Sequence, residues 1–322
     1  MGHKVNRATV VALLGLACAL ALPAAAQDAK PAETATAGTL AGSDDDRHAV
    51  GADFFASTDA DKTDIYRAGL NLDLNYRNPD QYWGVRYEKA WYKFAGRPTQ
   101  DRDRAYLRYA DASGGWAWNG QVGTDGDTVL GSASIHNDKP LRQEYFIERD
   151  MVETPRGLAQ GIYYTFLGGA FDLPANDRNL LTVVAGAQAF TGHNVRLHLR
   201  GTYTHILDPD RGLSVQLRGR YFYSTHPGEF DYYSPRWQAQ LLPVLQMRRY
   251  SHGWRYMLAA GLGAQRDTNT DWHQLRFAAA EISSPTFGDK WFVKASVQYS
   301  NTPLLTGAYD YAQFSIALRR SF

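Results

Sequence analysis

The chain has 322 residues, a formal net charge of +1 at pH 7 and 21% charged residues. This balance excludes a highly charged disordered chain and a polybasic nucleic-acid binder. A mean hydropathy of −0.43 is too polar for a bundle of transmembrane helices. The aromatic content of 13%, with 20 Tyr and 8 Trp, instead indicates a β-rich protein with the aromatic girdles of a membrane barrel.

The first residues have the pattern of an export signal. Lys4 and Arg7 supply a positive start, residues 9–22 are apolar, and small residues precede Gln27. We therefore expect residues 1–26 to be a cleaved signal peptide, because the apolar run is short for a spanning anchor. An uncleaved anchor is the alternative.

The only cysteine, Cys18, lies inside that signal. The mature chain is then expected to contain no cysteine, which excludes disulfides, thiolate catalysis and cysteine-based zinc sites. Residues 27–47 are rich in Ala, Thr, Gly and Asp without periodicity, which predicts a disordered periplasmic leader. Residues 48–322 read as one domain.

That domain consists of recurring segments of about ten residues in which apolar and polar side chains alternate. In the clearest segment one face carries Val195, Leu197, Leu199, Gly201 and Tyr203, and the other carries Arg196, His198, Arg200, Thr202 and Thr204. Sixteen such segments can be counted, with fourteen as an alternative: 48–58, 64–77, 81–94, 103–111, 115–123, 128–136, 141–150, 159–172, 179–191, 193–206, 212–224, 236–250, 253–265, 271–283, 289–300 and 309–322.

The same alternation would suit a soluble sandwich. The export signal, the aromatic residues near segment ends and the number of segments favour an all-β fold: a transmembrane antiparallel up-and-down β-barrel of about 16 strands. An even number of strands places both ends of the barrel on the periplasmic side. Phe314, Ile316 and Leu318 alternate up to the terminal Phe322, which resembles the signal read by outer-membrane assembly machinery. The predicted location is therefore the bacterial outer membrane.

Arginine dominates the predicted inward positions. An Arg-biased pore would favour anionic or densely hydroxylated solutes. The alternative is that these arginines pair with acidic neighbours and only provide partners for the polar groups of the interior. The predicted pore-lining arginines are Arg67, Arg86, Arg104, Arg108, Arg196, Arg200, Arg218, Arg220 and Arg276.

Two stretches carry a family resemblance. One is Glu148–Leu158, which continues into Gly161–Tyr164, and the other is Phe230–Arg236. Both resemble segments in the C-terminal barrels of exopolysaccharide export porins, namely the poly-β-1,6-N-acetylglucosamine export porin and the outer-membrane export component of cellulose synthase. The resemblance implies passive export of a cellulose-like or poly-N-acetylglucosamine-like polymer, with Tyr232 and Tyr233 near the outer mouth. There they would contact sugar rings or pack against the rim.

The resemblance also implies partners: outer-membrane lipid, the polysaccharide and an inner-membrane synthase. Those exporters normally carry an N-terminal array of tetratricopeptide repeats, and no helical repeat occurs in this sequence. A separate periplasmic scaffold protein would then supply that role.

Two other functions stay open, a general diffusion porin and a barrel enzyme that acts on lipid or surface polysaccharide. His198 shares the polar face of its segment, with Ser214 and Ser224 on the next one. A Ser–His hydrolase needs these groups within hydrogen-bond reach, and no G-x-S-x-G motif accompanies them. The sequence therefore predicts no catalytic residue, no metal site, no cofactor and no nucleic-acid partner.

Overall fold

The computed structural model describes residues 48–285, 290–303 and 310–322. The predicted signal peptide (1–26) and leader (27–47) lie outside the described residues. Within them, alternating side chains form sixteen strands and one short helix. The strands are β1 (His48–Asp59), β2 (Asp64–Asn78), β3 (Gln81–Lys93), β4 (Gln100–Ser113), β5 (Trp116–Thr124), β6 (Val129–Asn137), β7 (Gln143–Met151), β8 (Tyr163–Asn176), β9 (Asn179–Phe190), β10 (Val195–Asp208), β11 (Leu213–Ser224), β12 (Trp237–Ser251), β13 (Trp254–Asp267), β14 (Thr270–Ser283), β15 (Trp291–Ser300) and β16 (Tyr311–Ser321); the helix is α1 (Pro155–Gln160).

Every strand pairs antiparallel with its neighbours in sequence, and β1 pairs with β16, so the sheet closes into a barrel. Closure leaves no unpaired sheet edge, which a membrane requires. The closing seam extends to the last residue, because the backbones of His48 and Phe322 exchange hydrogen bonds of 3.2 and 2.9 Å. The prediction of a 16-strand all-β barrel is confirmed, and the fourteen-strand alternative is wrong.

The two ends of the barrel differ in their connections. At the end where β1 begins and β16 ends, which we call the terminal end, several turns have two residues. Gly114 and Gly115 form one of them with φ of 62° and 79°, a backbone that favours glycine and matches the twist of a hairpin. At the opposite end, the loop end, the β7–β8 connection (residues 152–162) and the β11–β12 connection (225–236) are much longer.

The outer surface is apolar on all sides. Each of the sixteen strands presents at least one exposed large apolar or aromatic side chain, and Leu70, Leu107 and Leu262 are each 63% exposed. A water-soluble monomer rarely exposes such a continuous apolar surface. The described strands have 9–15 residues, enough to cross a bilayer. No helix in the described residues is long and apolar enough to do so.

Candidate pore and its inward-folded loops

The inner surface of the barrel has two walls of different chemistry. On β1–β4 the charged inward side chains include both arginines and carboxylates. Arg86 Nη1 lies 2.6 Å from Asp53 and its Nη2 lies 2.8 Å from Glu88, while Arg108 Nη1 lies 2.9 Å from Asp73. All of these groups except Asp53 are less than a tenth exposed. We call this ion-paired surface of β1–β4 the paired wall.

The β7–β8 loop folds into the barrel and joins the paired wall. Its Glu153 is 2% exposed. One carboxylate oxygen forms an ion pair with Arg67 on β2. The other accepts a hydrogen bond of 2.9 Å from the Tyr92 hydroxyl on β3 and lies 3.6 Å from Arg104 on β4. A single glutamate thus ties the loop to three strands of the opposite wall.

Local sequence explains why this loop contains a helix. Thr154 is the N-cap and accepts a hydrogen bond of 3.0 Å from the Gly157 backbone, Pro155 occupies the first turn, and Gly161 closes α1 in the left-handed conformation at φ 65°. Leu158 on α1 is 3% exposed in an apolar cluster with residues of β2, β3, β4 and β6, including Ile65 and Leu130. The helix therefore lies inside the barrel.

The β11–β12 loop meets α1 from the other side. Asp231 accepts hydrogen bonds from the Thr154 hydroxyl (2.6 Å) and from the Arg156 backbone N–H (2.8 Å). These bonds place a carboxylate at the first turn of the helix, where charge and backbone donors favour it. The two stretches that carry the family resemblance are therefore in direct contact. We call the two loops, residues 152–162 and 225–236, the lid.

Tyr232 and Tyr233 lie in this lid. The Tyr232 ring stacks on Phe190 with centroids 4.3 Å apart, and its hydroxyl accepts a hydrogen bond of 2.8 Å from Asn194. It is 5% exposed, which matches the rim-packing alternative. Tyr233 is half-buried, and its hydroxyl donates to Asp267 at the end of β13 (2.5 Å). The lid therefore extends from β2 to β13.

Glu229 attaches the lid to the β9–β10 loop. Its carboxylate accepts hydrogen bonds from the backbone N–H groups of His193 (2.8 Å) and Asn194 (2.9 Å). Partial burial raises the pKa of this carboxyl, but the hydrogen bonds from His193 and Asn194 outweigh it, so the pKa lies below its usual range.

The second wall lies on β10–β12. Arginine recurs along it from beneath the lid to the terminal end. Arg196 donates a hydrogen bond of 2.5 Å to the Tyr233 carbonyl at the lid, and the backbone of Arg248 donates one of 2.8 Å to Gly212 in a terminal-end turn. We call this set the arginine ladder; its members are Arg196, Arg200, Arg218, Arg220 and Arg248.

Arg218 and Arg196 both contact neutral groups on this wall. Arg218 donates to the Gln216 amide (2.9 Å) and lies over the Phe277 ring at 4.8 Å. Arg196 lies over Phe222 at 4.7 Å. No Asp or Glu occupies an inward position of β11 or β12, both fully described strands. Arg218 therefore contacts an amide and an aromatic face, where the arginines of the paired wall contact carboxylates.

One predicted pore residue is wrong. Arg276 is exposed on the outer face of β14, directly opposite Leu262, which is 63% exposed. The inward side chains of this stretch are the apolar residues Leu275 and Phe277, packed in a cluster with Leu242 and Val244. Because the inner face is itself apolar here, the rule that polar side chains face inward selected the wrong face. The other predicted arginines all face inward. Arg248, which the prediction omitted, does too.

The candidate catalytic residues do not assemble. His198 Nε2 lies 3.1 Å from the Gln188 side-chain oxygen, and the ring packs beside Phe166 and Phe222. Ser214 lies opposite Ile206, eight residues along β10 from His198. The described contacts of His198 therefore contain no serine to activate.

Fold, apolar exterior and polar interior together define a transmembrane β-barrel of the kind found in bacterial outer membranes. No family model matches the chain, and no curated protein matches its sequence. The chain is similar to a solved structure described as "Bacterial polysaccharide outer membrane secretin", with 12% identity and a TM-score of 0.65 over 86% of this chain and 99% of that one. It also matches Pseudomonas aeruginosa OccK5 (OpdH), with 10% identity, a TM-score of 0.41 and coverage of 86% and 98%. A third match is OmpT of Vibrio cholerae, with 8% identity, a TM-score of 0.42 and coverage of 86% and 98%. At these identities the likeness concerns the fold.

Proposed function

We propose that this protein is an outer-membrane channel through which a bacterial exopolysaccharide leaves the cell. The observation that carries the proposal is the lid. The two segments that resemble exopolysaccharide export porins fold together, through Asp231 and Thr154, across the loop end of a polar barrel. The solved structure that is similar at a TM-score of 0.65 is that of a polysaccharide secretin, which supports the same direction.

The structure of the lid suggests a channel that opens only for its polymer. Glu153 holds α1 against the paired wall, while Asp231 and Glu229 hold the second loop. A growing chain that arrives from the terminal end would displace these contacts and pass outward without chemical change. The synthase at the inner membrane and a periplasmic scaffold protein remain proposed partners.

Planar-bilayer recording tests this function. We expect rare, small openings for the wild-type barrel. A variant with residues 153–160 replaced by a Gly/Ser linker should show large, frequent openings that added linear oligosaccharide blocks. Equal, open conductance in both, without block, would identify a diffusion porin instead. Glycan or lipid turnover that His198→Ala abolishes would identify an enzyme.

A further inference from the structure

Arg276 is a charged side chain on the apolar outer surface of the barrel. It is exposed on β14, directly opposite Leu262 on β13. An arginine on the lipid-facing surface is costly in the hydrocarbon and is tolerated near a membrane interface. The backbone N–H of Arg276 donates a hydrogen bond of 2.6 Å to the side chain of Asn301, the residue that follows the end of β15. Arg276 is therefore level with the loop-end rim of β15.

The guanidinium group of Arg276 has a neutral partner. Its Nε donates a hydrogen bond of 2.8 Å to the side-chain oxygen of Gln274 on the same face of β14. No carboxylate in residues 48–285, 290–303 and 310–322 forms an ion pair with it, and the carboxylate of Asp310 accepts a hydrogen bond from the nearby Tyr299 hydroxyl instead. The Nη groups of Arg276 are therefore available to an anion from outside the protein.

An apolar groove of about 650 Å³ lies beside Arg276 on the outer face of the barrel. Ala260 and Ala278, directly opposite each other on β13 and β14, leave space next to the larger Leu262. Pro243 on β12 also lines the groove, at a point where the backbone pairing of β12 and β13 is interrupted, because proline cannot donate to the ladder. Arg276 lies on the side of the groove nearer the loop end, two residues from Ala278.

We propose that Arg276 and this groove form a binding site for lipid A, the phosphorylated and acylated anchor of lipopolysaccharide. With both ends of the barrel on the periplasmic side, as the strand count predicts, the loop end faces the outer leaflet that contains this lipid. Guanidinium groups bind phosphates in a bidentate geometry, and the apolar groove on the terminal-end side of Arg276 suits an acyl chain. The site lies outside the pore, so it is independent of the solute that the channel carries.

Native mass spectrometry of the full-length barrel in detergent tests the proposal. The probes are lipid A and the same lipid without its phosphates. We expect one lipid A molecule to bind per barrel, at least about 10-fold more tightly than the dephosphorylated lipid, as expected for charge-assisted hydrogen bonds. Arg276→Gln should remove this preference for the phosphorylated lipid.

Two further variants separate the groove from the charge. Ala260→Leu fills the groove with an apolar side chain on a lipid-facing position, so it should weaken the binding of both lipids and leave the preference for phosphate in place. Arg249→Gln is the matched control, because Arg249 is exposed on the outer face of β12 near the terminal end and its loss should change neither affinity. Heat-modified mobility in gels checks that each variant is folded.

The outcomes decide the lipid site without touching the export proposal. Equal binding of lipid A and its dephosphorylated form, or unchanged binding in both Arg276→Gln and Ala260→Leu, overturns the site. Equal losses in Arg276→Gln and Arg249→Gln would mean nonspecific attraction by surface charge and also overturn it. Equal affinity for phosphatidylglycerol would overturn lipid A as the occupant. The export function is tested separately by the bilayer recordings.

Discussion

The paired wall and the arginine ladder both contain inward arginines, but the contacts of these arginines differ. On β1–β4 each buried arginine has a carboxylate within salt-bridge distance: Arg108 lies 2.9 Å from Asp73, and Arg86 lies 2.6 Å from Asp53. On β10–β12 Arg218 contacts an amide and an aromatic ring. The first arrangement holds the lid through Glu153, whereas the guanidinium group of Arg218 is bound by neutral groups.

Because the contacts of the arginines differ between the walls, the number of inward arginines alone does not define the selectivity of a pore. Buried guanidinium groups that are matched by carboxylates create little net field, because the opposite charges cancel over a short distance. The two walls differ in this respect, because β11 and β12 themselves carry no inward carboxylate, although both walls contain several arginines.

The largest expected effect is a difference in the free energy of unfolding between two variants, each with one arginine replaced on one of the two walls. Arg108→Gln leaves the fully buried Asp73 without its closest cationic partner, and loss of one partner of a buried ion pair costs about 3–5 kcal/mol. Arg218→Gln should cost about 1 kcal/mol or less, because it removes one hydrogen bond to a neutral acceptor. Urea unfolding of both variants in detergent measures the difference. Equal losses would contradict the distinction between the walls.

The second effect concerns the attachment of the lid to the paired wall. Glu153→Gln removes the charge that binds Arg67 and lies 3.6 Å from Arg104, so we expect α1 to leave the wall and the channel to open more often in bilayer recordings. Asp101→Asn is the control, because Asp101 forms an exposed ion pair with Lys89 at 2.7 Å, worth about 1 kcal/mol at most. Unchanged gating in Glu153→Gln would show that the lid is held by other contacts.

Alternation in the sequence predicts the strands and most of the inward arginines, because side-chain direction in a strand has a period of two. It also explains the two errors. Arg276 lies in a stretch with apolar side chains on both faces, and Arg248 continues an alternation that includes Gln246 and Gln238 but that Leu242 and Val244 interrupt. Where the inner wall itself is apolar, the period of two still predicts a strand, but it no longer shows which face of the strand points inward.

The partners of each arginine could not be predicted in this way. Arg86 reaches Asp53 only because of the register between β1, β2 and β3, which the alternation leaves open by any even number of residues. Glu153 lies in a loop and has no periodic signal. Its role depends on α1 folding inward, a tertiary event. The walls can therefore be predicted from the sequence, whereas the ion pairs and the lid cannot.

A smaller effect is expected on the stability of the contact between the two lid loops. Asp231→Asn weakens the bonds to Thr154 and to the Arg156 N–H, and loss of such a helix-terminal contact costs about 1 kcal/mol. Hydrogen–deuterium exchange of residues 152–162 should rise, and a double-mutant cycle with Thr154→Val should show coupling of about 0.5–1 kcal/mol. The exposed Asp177 in a terminal-end turn gives the control Asp177→Asn. Additive effects would mean that the loops act independently.

The smallest expected effect is a release of the lid at Glu229 in acid, measured by hydrogen–deuterium exchange. Its lowered pKa means that the ionised carboxylate contributes stability that is complete above the usual glutamate pKa and is lost as pH falls through the lowered value. Exchange in residues 225–236 should therefore be independent of this group between about pH 7 and pH 5, and should increase only below about pH 4.3, the usual glutamate value. Glu229→Gln should remove that acid-induced increase. An increase already at pH 6 that persists in Glu229→Gln would show that a group other than Glu229 releases the lid.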